Sequence, residues 1–103
     1  MSATQRSLAH LRQQGYTAAV VEHWNPHAHI RQDLFGIIDI IAIRHDETLA
    51  VQTTTTGVAE RVTKIADSPN IAAVRDAGWR VVVHGWTKRG KPPRWTLREV
   101  DCS

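Results

Sequence analysis

The sequence predicts an α/β (α+β) fold, a mixed central sheet flanked by helices in the order α-β-β-β-α-α-β-β. Three observations point there. Apolar, β-prone runs of strand length recur along the chain: TAAVVEHW, LFGIIDIIAIR, LAVQTT, WRVVVHGW and RWTLREV. Segments with helix start and stop signals separate several of these runs. The chain has 103 residues, 42% hydrophobic and 22% charged, which supports one domain over residues 1–103 with a single core.

Ser2 and Gln5 are spaced as a capping box, and Leu8 and Leu11 make a thin apolar stripe that ends at Gly15. Residues 3–14 are therefore expected to be helical. Residues 17–24 read as a first strand closed by Asn25-Pro26, with HAHIRQD as a polar loop. Residues 34–44 are apolar on both faces, which predicts a central strand. A polar turn over 44–48 returns the chain as a third strand over 49–54. Gly57 opens a helix bearing Val58, Val62 and Ile65 on one face. Ser68-Pro69 opens the next, with Pro at its first position, and Gly78 stops it. Residues 79–86 form a fourth strand, TKRGKPPR a turn, and residues 94–100 an edge strand. Four tryptophans among six aromatics suit a small sheet protein that closes its core with few large side chains.

Thirteen Lys and Arg against ten Asp and Glu leave a net charge of +3. The excess is uneven: Lys88, Arg89, Lys91, Arg94 and Arg98 lie between residues 86 and 98 with no acid among them. Nucleic-acid binding is compatible with that pattern and not proved by it. The single cysteine, Cys102, excludes a disulfide framework and a Cys-based zinc site, and fits a reducing cytoplasm. No signal peptide is expected, because the first apolar residues are scattered among Gln, Arg and His. The longest apolar run is interrupted by Asp39 and is too short to cross a bilayer.

Asp39, in the middle of GIIDIIAI, is the anomaly. A carboxylate there costs several kcal/mol, roughly, unless it is paired, protonated or bound to a cation. A hairpin centred on Asp46-Glu47 sets Asp39 opposite Thr54 and Ile41 opposite Gln52, so that Asp39, Gln52 and Thr54 share one face. Such an oxygen-rich group suits Mg²⁺ or Mn²⁺, with waters completing the shell. It equally suits a hydrogen-bonded Asp–Thr–Gln patch with no ion. Spacing leaves both readings open.

On these residues the chain resembles the PD-(D/E)XK nuclease superfamily, in particular small stand-alone members similar to archaeal Holliday-junction resolvases and related phage nucleases. LRQQGY matches the end of a first helix. DLFGIIDIIAI matches the strand that bears the metal-binding aspartate, and LAVQTT the strand that bears the (D/E)XK element. The resemblance covers most of the chain and implies a restriction-endonuclease-like core. It implies that Asp39 binds the metal, that Gln52 stands at the acidic position, and that the Thr53 carbonyl is a further ligand. Thr54 stands where the family has its catalytic lysine. A substitute is expected from the next helix, where Arg61 flanks the apolar face and Lys64 points further towards solvent. The family also draws an acid from its first helix. Residues 1–15 contain none, and Glu22 is the nearest stand-in.

Three groups of residues are candidate DNA contacts. His27 and His29, with Arg31, lie in the loop that leads to the site and offer phosphate donors; the plainer alternative is a mobile loop of exposed histidines. Lys88, Arg89, Lys91 and Arg94 make the basic turn above Trp86 and Trp95, where a solvated hairpin is the alternative. The expected function is a metal-dependent DNA endonuclease of resolvase-like type, using Mg²⁺ or Mn²⁺ on DNA, branched DNA included, as a cytoplasmic homodimer. A nuclease-fold DNA-binding protein that has lost catalysis is the alternative, since the motif lysine is missing. A phage accessory protein that acts on a host protein is a third possibility.

Overall fold

Ser2 caps the first helix as its spacing predicts: its hydroxyl accepts the Gln5 N–H at 3.1 Å, and α1 runs Ala3–Gln13. The helix turns Ser7, Leu8 and Leu11 inwards. It gives way to a turn in which Gly15 has φ +90°, a geometry that glycine adopts without strain. The computed structural model describes residues 1–103. Next come β1 (Thr17–Val20), β2 (His23–Asn25), β3 (Ile30–Gln32), β4 (Ile40–Arg44) and β5 (Glu47–Thr54). Two helices follow, α2 (Val58–Ala66) and α3 (Ile71–Asp76), then β6 (Arg80–Arg89) and β7 (Arg94–Asp101). The fold is mixed α/β, as expected.

Five strands make one mixed sheet in the order β1-β4-β5-β6-β7. The β1/β4, β4/β5 and β6/β7 pairs are antiparallel, and β5/β6 is parallel. A parallel neighbour needs a crossover, and α2 and α3 supply it. Strands β2 and β3 pair only with each other, as a separate two-stranded ribbon.

The sheet divides two apolar layers. On one side Leu8 and Leu11 of α1 pack with Ala18, Ile40, Leu49, Val51 and Val82. On the other, Ile65, Ile71 and Val74 of α2 and α3 pack with Ile38, Ala50, Val81 and Val83. Ile65 is fully buried, and removing a side chain of its size from water contributes about 1.5–3 kcal/mol. Alternation along β5 gives Thr53 to the α1 side and Gln52 and Thr54 to the α2 side. Helix α2 lies close on β6 because Gly85 has no side chain; a Cβ there would run into Cγ2 of Val58.

Several expected boundaries move, each for a local reason. Residues 17–24 are not one strand: the chain breaks at Val21-Glu22, and β2 leaves the main sheet. HAHIRQD is a loop only in part: His27 to His29 turn at the ribbon tip, and Ile30–Gln32 form β3. Residues 34–38 are a tight turn closed by a Leu34–Ile38 bridge, with Phe35 and Gly36 at φ +54° and +76°. The central strand therefore starts only at Ile40. The β4–β5 turn sits on His45-Asp46, where His45 takes φ +56°, so Ile40 pairs with Val51 and Asp39 falls opposite Gln52 rather than Thr54. That shift is two residues, which preserves the face. Helix α3 begins at Ile71, with Asn70 as its cap. Strand β6 continues to Arg89, which shortens the basic turn to residues 90–93. Of the four tryptophans only Trp86 is buried, while Trp24 and Trp95 are exposed. No helix is long and apolar enough to cross a membrane.

Candidate active site

Asp39 lies in the bend before β4, held by its own backbone. Its N–H donates to the Val51 carbonyl at 2.8 Å, and its carbonyl accepts the Val21 N–H at 2.8 Å. The chain is thus bonded to both flanking strands where the carboxylate leaves it. Oδ2 accepts from Gln52 Nε2 at 2.5 Å, from the Thr53 N–H at 2.8 Å and from the Thr53 hydroxyl at 3.1 Å. Gln52 reaches it from the α2 side of the sheet and Thr53 from the α1 side, where the Thr53 hydroxyl also meets that of Thr4 at 2.8 Å.

Two further carboxylates join Asp39. Glu22 stands in the break between β1 and β2, and Asp33 directly follows β3. One oxygen from each of Glu22, Asp33 and Asp39 lies within 4.8 Å of the others. Oxygens on opposite sides of a hard cation are separated by about 4–5 Å, twice the usual bond length. Three carboxylates at that spacing, with a neutral amide beside them, could hold a hard divalent cation. Glu22 also faces Arg31 at 3.8 Å.

Lys64 of α2 completes the group. Its Nζ donates to Asp33 Oδ2 at 3.2 Å and meets Gln52 Oε1 at 3.5 Å, while Gln52 Nε2 donates to Asp33 Oδ2 at 3.3 Å. Gln52 therefore bridges the ammonium to both aspartates.

The charges explain why these groups need one another. Burial pushes Asp39 up to about 7, its Asp33 neighbour adds to the rise, and the Thr53 N–H opposes it. Burial also pushes Asp33 upwards. The hydrogen bond with Asp39 and those from Lys64 and Gln52 outweigh it and hold Asp33 below the usual carboxylate range. Of the two, Asp39 is the carboxylate pushed towards its neutral form and Asp33 the one kept charged. Two carboxylates that resist ionising together are the setting in which a cation displaces a proton.

The remaining candidates divide. Thr54 does not touch Asp39: its hydroxyl accepts the N–H groups of Thr56 at 3.3 Å and Gly57 at 3.0 Å, which organises the start of α2. Its place as a neighbour of Asp39 came from the assumed turn and goes with it. Arg61 lines the cleft of about 480 Å³ that holds the carboxylates, together with Ser2, Thr4, Thr55 and Thr56. Lys64, expected to point towards solvent, instead reaches the carboxylates. His27 and His29 are exposed at the ribbon tip, with Arg31 further down. Lys88, Arg89, Lys91 and Arg94 are exposed on the β6–β7 hairpin and do not line the carboxylate cleft. Arg89 and Arg98 line a neighbouring groove that shares Thr55 and Thr56 with that cleft.

Asp33 is the residue that sequence reasoning missed. A usable signal was present: Glu22 and Asp33 bracket an acid-free segment with Asn25-Pro26 at its turn, the pattern of a hairpin whose feet are acidic. No protein-family model matches the chain, and no curated protein matches it.

Proposed function

We propose that the chain is a metal-dependent DNA endonuclease of resolvase-like type, working as a homodimer. The observation that carries the reading is the meeting of Glu22, Asp33, Asp39 and Gln52 in one open cleft, with the Lys64 ammonium reaching Asp33 and Gln52 from the adjoining groove. Asp39, Asp33 and Glu22 would hold Mg²⁺ or Mn²⁺, with the Gln52 amide beside them. When bound, such an ion polarises a phosphoryl oxygen and makes an attacking water more acidic.

The chain's own residues do the rest. Lys64 brings an ammonium to the carboxylates from α2, the charge that the motif position of Thr54 lacks, and stabilises negative charge that develops on the phosphate. Arg61 and the N-terminus of α1, whose first turn has no acid, favour a phosphate in the cleft. The groove with Arg89 and Arg98 continues the track along a DNA backbone. One domain presents one cleft, and two copies would address two strands.

The test is incubation of plasmid, linear and four-way-junction DNA with Mg²⁺ or Mn²⁺, with wild type beside Asp39→Ala. Cleavage by wild type and its loss, by at least about a hundredfold, in Asp39→Ala is expected. Cleavage that survives the substitution would overturn the site. The replacement of the motif acid and lysine by Gln52 and Thr54 supports a second reading, a DNA-binding protein without catalysis. DNA retention with no cleavage under any of these conditions would favour it.

A further inference from the structure

The β2–β3 ribbon grows out of the carboxylate cluster. Its pairs are His23–Gln32, Trp24–Arg31 and Asn25–Ile30. Carrying that register one pair towards the base sets Glu22 opposite Asp33. Alternation then places Glu22, Trp24, Arg31 and Asp33 on one face of the ribbon. The Glu22–Arg31 contact at 3.8 Å agrees with that placement. Two of the three carboxylates are therefore the feet of this ribbon, and Trp24 stands further up the same face, about 6–7 Å along the strand.

Trp24 has no role in the core. It is 54% exposed, and its one ring neighbour is His29, edge-on at 6.3 Å. A tryptophan is normally among the best-buried side chains, so this much open indole asks for an occupant. The ribbon is built rather than loose. Asn25 Oδ1 accepts the N–H groups of His27 at 2.9 Å and Ala28 at 3.1 Å, which folds the tip. Residues 23–32 carry three histidines and an arginine and no acid. That composition suits a polyanion, and an exposed aromatic face set among such groups suits a nucleobase.

We infer that Trp24 is a stacking platform for an unpaired base next to the cleaved phosphate, so that the substrate class is DNA with single-stranded nucleotides: a single strand, a flap or a gap. In continuous duplex, and in a four-way junction with every base paired, both faces of each base are already covered by neighbours. Only an unpaired base can lie flat on the indole. From Trp24 to Glu22 is a reach that a single nucleotide spans. The inference rests on the endonuclease reading and adds which DNA the site selects. Trp24 acts as a specificity residue in it.

The experiment measures binding in EDTA, where no cleavage occurs, for wild type, Trp24→Ala and Trp24→Phe. The probes are an oligodeoxythymidine, a duplex with a single-stranded flap, a blunt duplex and a fully paired four-way junction. Wild type should prefer the first two. Trp24→Ala should weaken those two about tenfold, in line with the loss of one base–aromatic stack, and leave the blunt duplex unchanged; Trp24→Phe should recover most of the loss. Photocrosslinking of an oligonucleotide that carries 5-iododeoxyuridine should map to Trp24. Equal binding by wild type and Trp24→Ala, an equal loss on all four probes, or a crosslink elsewhere would overturn the inference. So would tighter retention of an oligoribonucleotide run in parallel. If Asp39→Ala abolishes cleavage while Trp24→Ala binds as wild type does, this inference fails and the endonuclease reading stands. If wild type retains none of the probes, both fail.

Discussion

At the residue scale, Thr54 and Lys64 do not sit as their places in the sequence suggest. Thr54, expected beside Asp39, instead spends its hydroxyl on the Thr56 and Gly57 N–H groups, so it shapes the start of α2. Lys64 lies ten residues later in sequence, yet its ammonium reaches Asp33 and Gln52. A side chain with four methylenes can deliver a charge from a neighbouring helix as readily as from the strand itself. On the proposed endonuclease reading, Lys64→Ala should reduce cleavage by about a hundredfold or more while DNA binding changes by only a few fold. Single-turnover cleavage and gel-shift titration of the same preparation separate the two. An equal loss of both would show that Lys64 only holds DNA. Cleavage at the wild-type rate would remove it from the site.

At the element scale, a buried polar chain ties α1 to β6 and β7. Trp86 Nε1–H donates to the Ser7 hydroxyl at 2.8 Å, Ser7 Oγ meets His84 Nδ1 at 2.9 Å, and His84 Nε2 meets Glu99 at 3.0 Å. With His84 neutral and its Nε2 carrying the hydrogen, every group in the chain is satisfied. Burial lowers the His84 pKa, Glu99 opposes that, and the nearby His10 reinforces it. The sign follows from linkage. The unfolded histidine takes up a proton near 6.5 and the folded one only at lower pH, so the contribution to stability is complete above 6.5 and is lost as pH falls through the folded value. As pH falls below 6.5, His84 therefore lowers the melting temperature, while Asp39, held up to about 7, acts in the opposite direction over the same range. His84→Gln should remove the first effect and leave the second, so its melting temperature should fall less, or rise more, than that of wild type as the pH is lowered from about 7. Profiles of the two proteins that stay parallel below pH 6.5 would contradict the account. Next to His84, Gly85 lets α2 lie close on β6, because a Cβ there would run into Val58.

At the scale of the whole molecule, the direction of the strands explains where the basic residues lie. Strands β5 and β6 run parallel, with Thr54 beside Gly85. Residues 86–89 of β6 therefore project past the end of β5, on the edge of the sheet where the carboxylate cleft opens. Arg6 of α1 lies over the Trp95 ring at 3.9 Å, and Lys88 over the same ring at 5.3 Å, which fixes the base of this hairpin against the body. The sheet edge thus carries two projections, the β2–β3 ribbon and the β6–β7 hairpin, and the molecule measures 42 × 36 × 24 Å. If the hairpin grips DNA backbone, replacing Lys88, Arg89, Lys91 and Arg94 with Gln should weaken binding to all sequences. It should also flatten the plot of log affinity against log salt by up to about one unit for each phosphate that is no longer neutralised. Filter binding across a salt series measures both. An unchanged slope would leave the hairpin solvated and without a part in binding.

The order of residues alone dictates the mixed α/β class, the cap at Ser2, the α2 face of Val58, Val62 and Ile65, and the need of Asp39 for partners. These follow from local chemistry: periodicity, hydroxyl caps, and the cost of a carboxylate in an apolar run. That Asp39 and Gln52 share a face was legible too, because an error of two residues in the turn leaves parity intact. The folded arrangement was needed to set Asp39 opposite Gln52, to bring Asp33 and Glu22 to it, and to deliver Lys64 from α2. Those meetings depend on where the chain leaves the sheet, at Val21-Glu22 and again at residues 34–38. Such departures are set by a few positive-φ turn residues and by pairing between distant strands, and neither leaves a periodic trace in the chain.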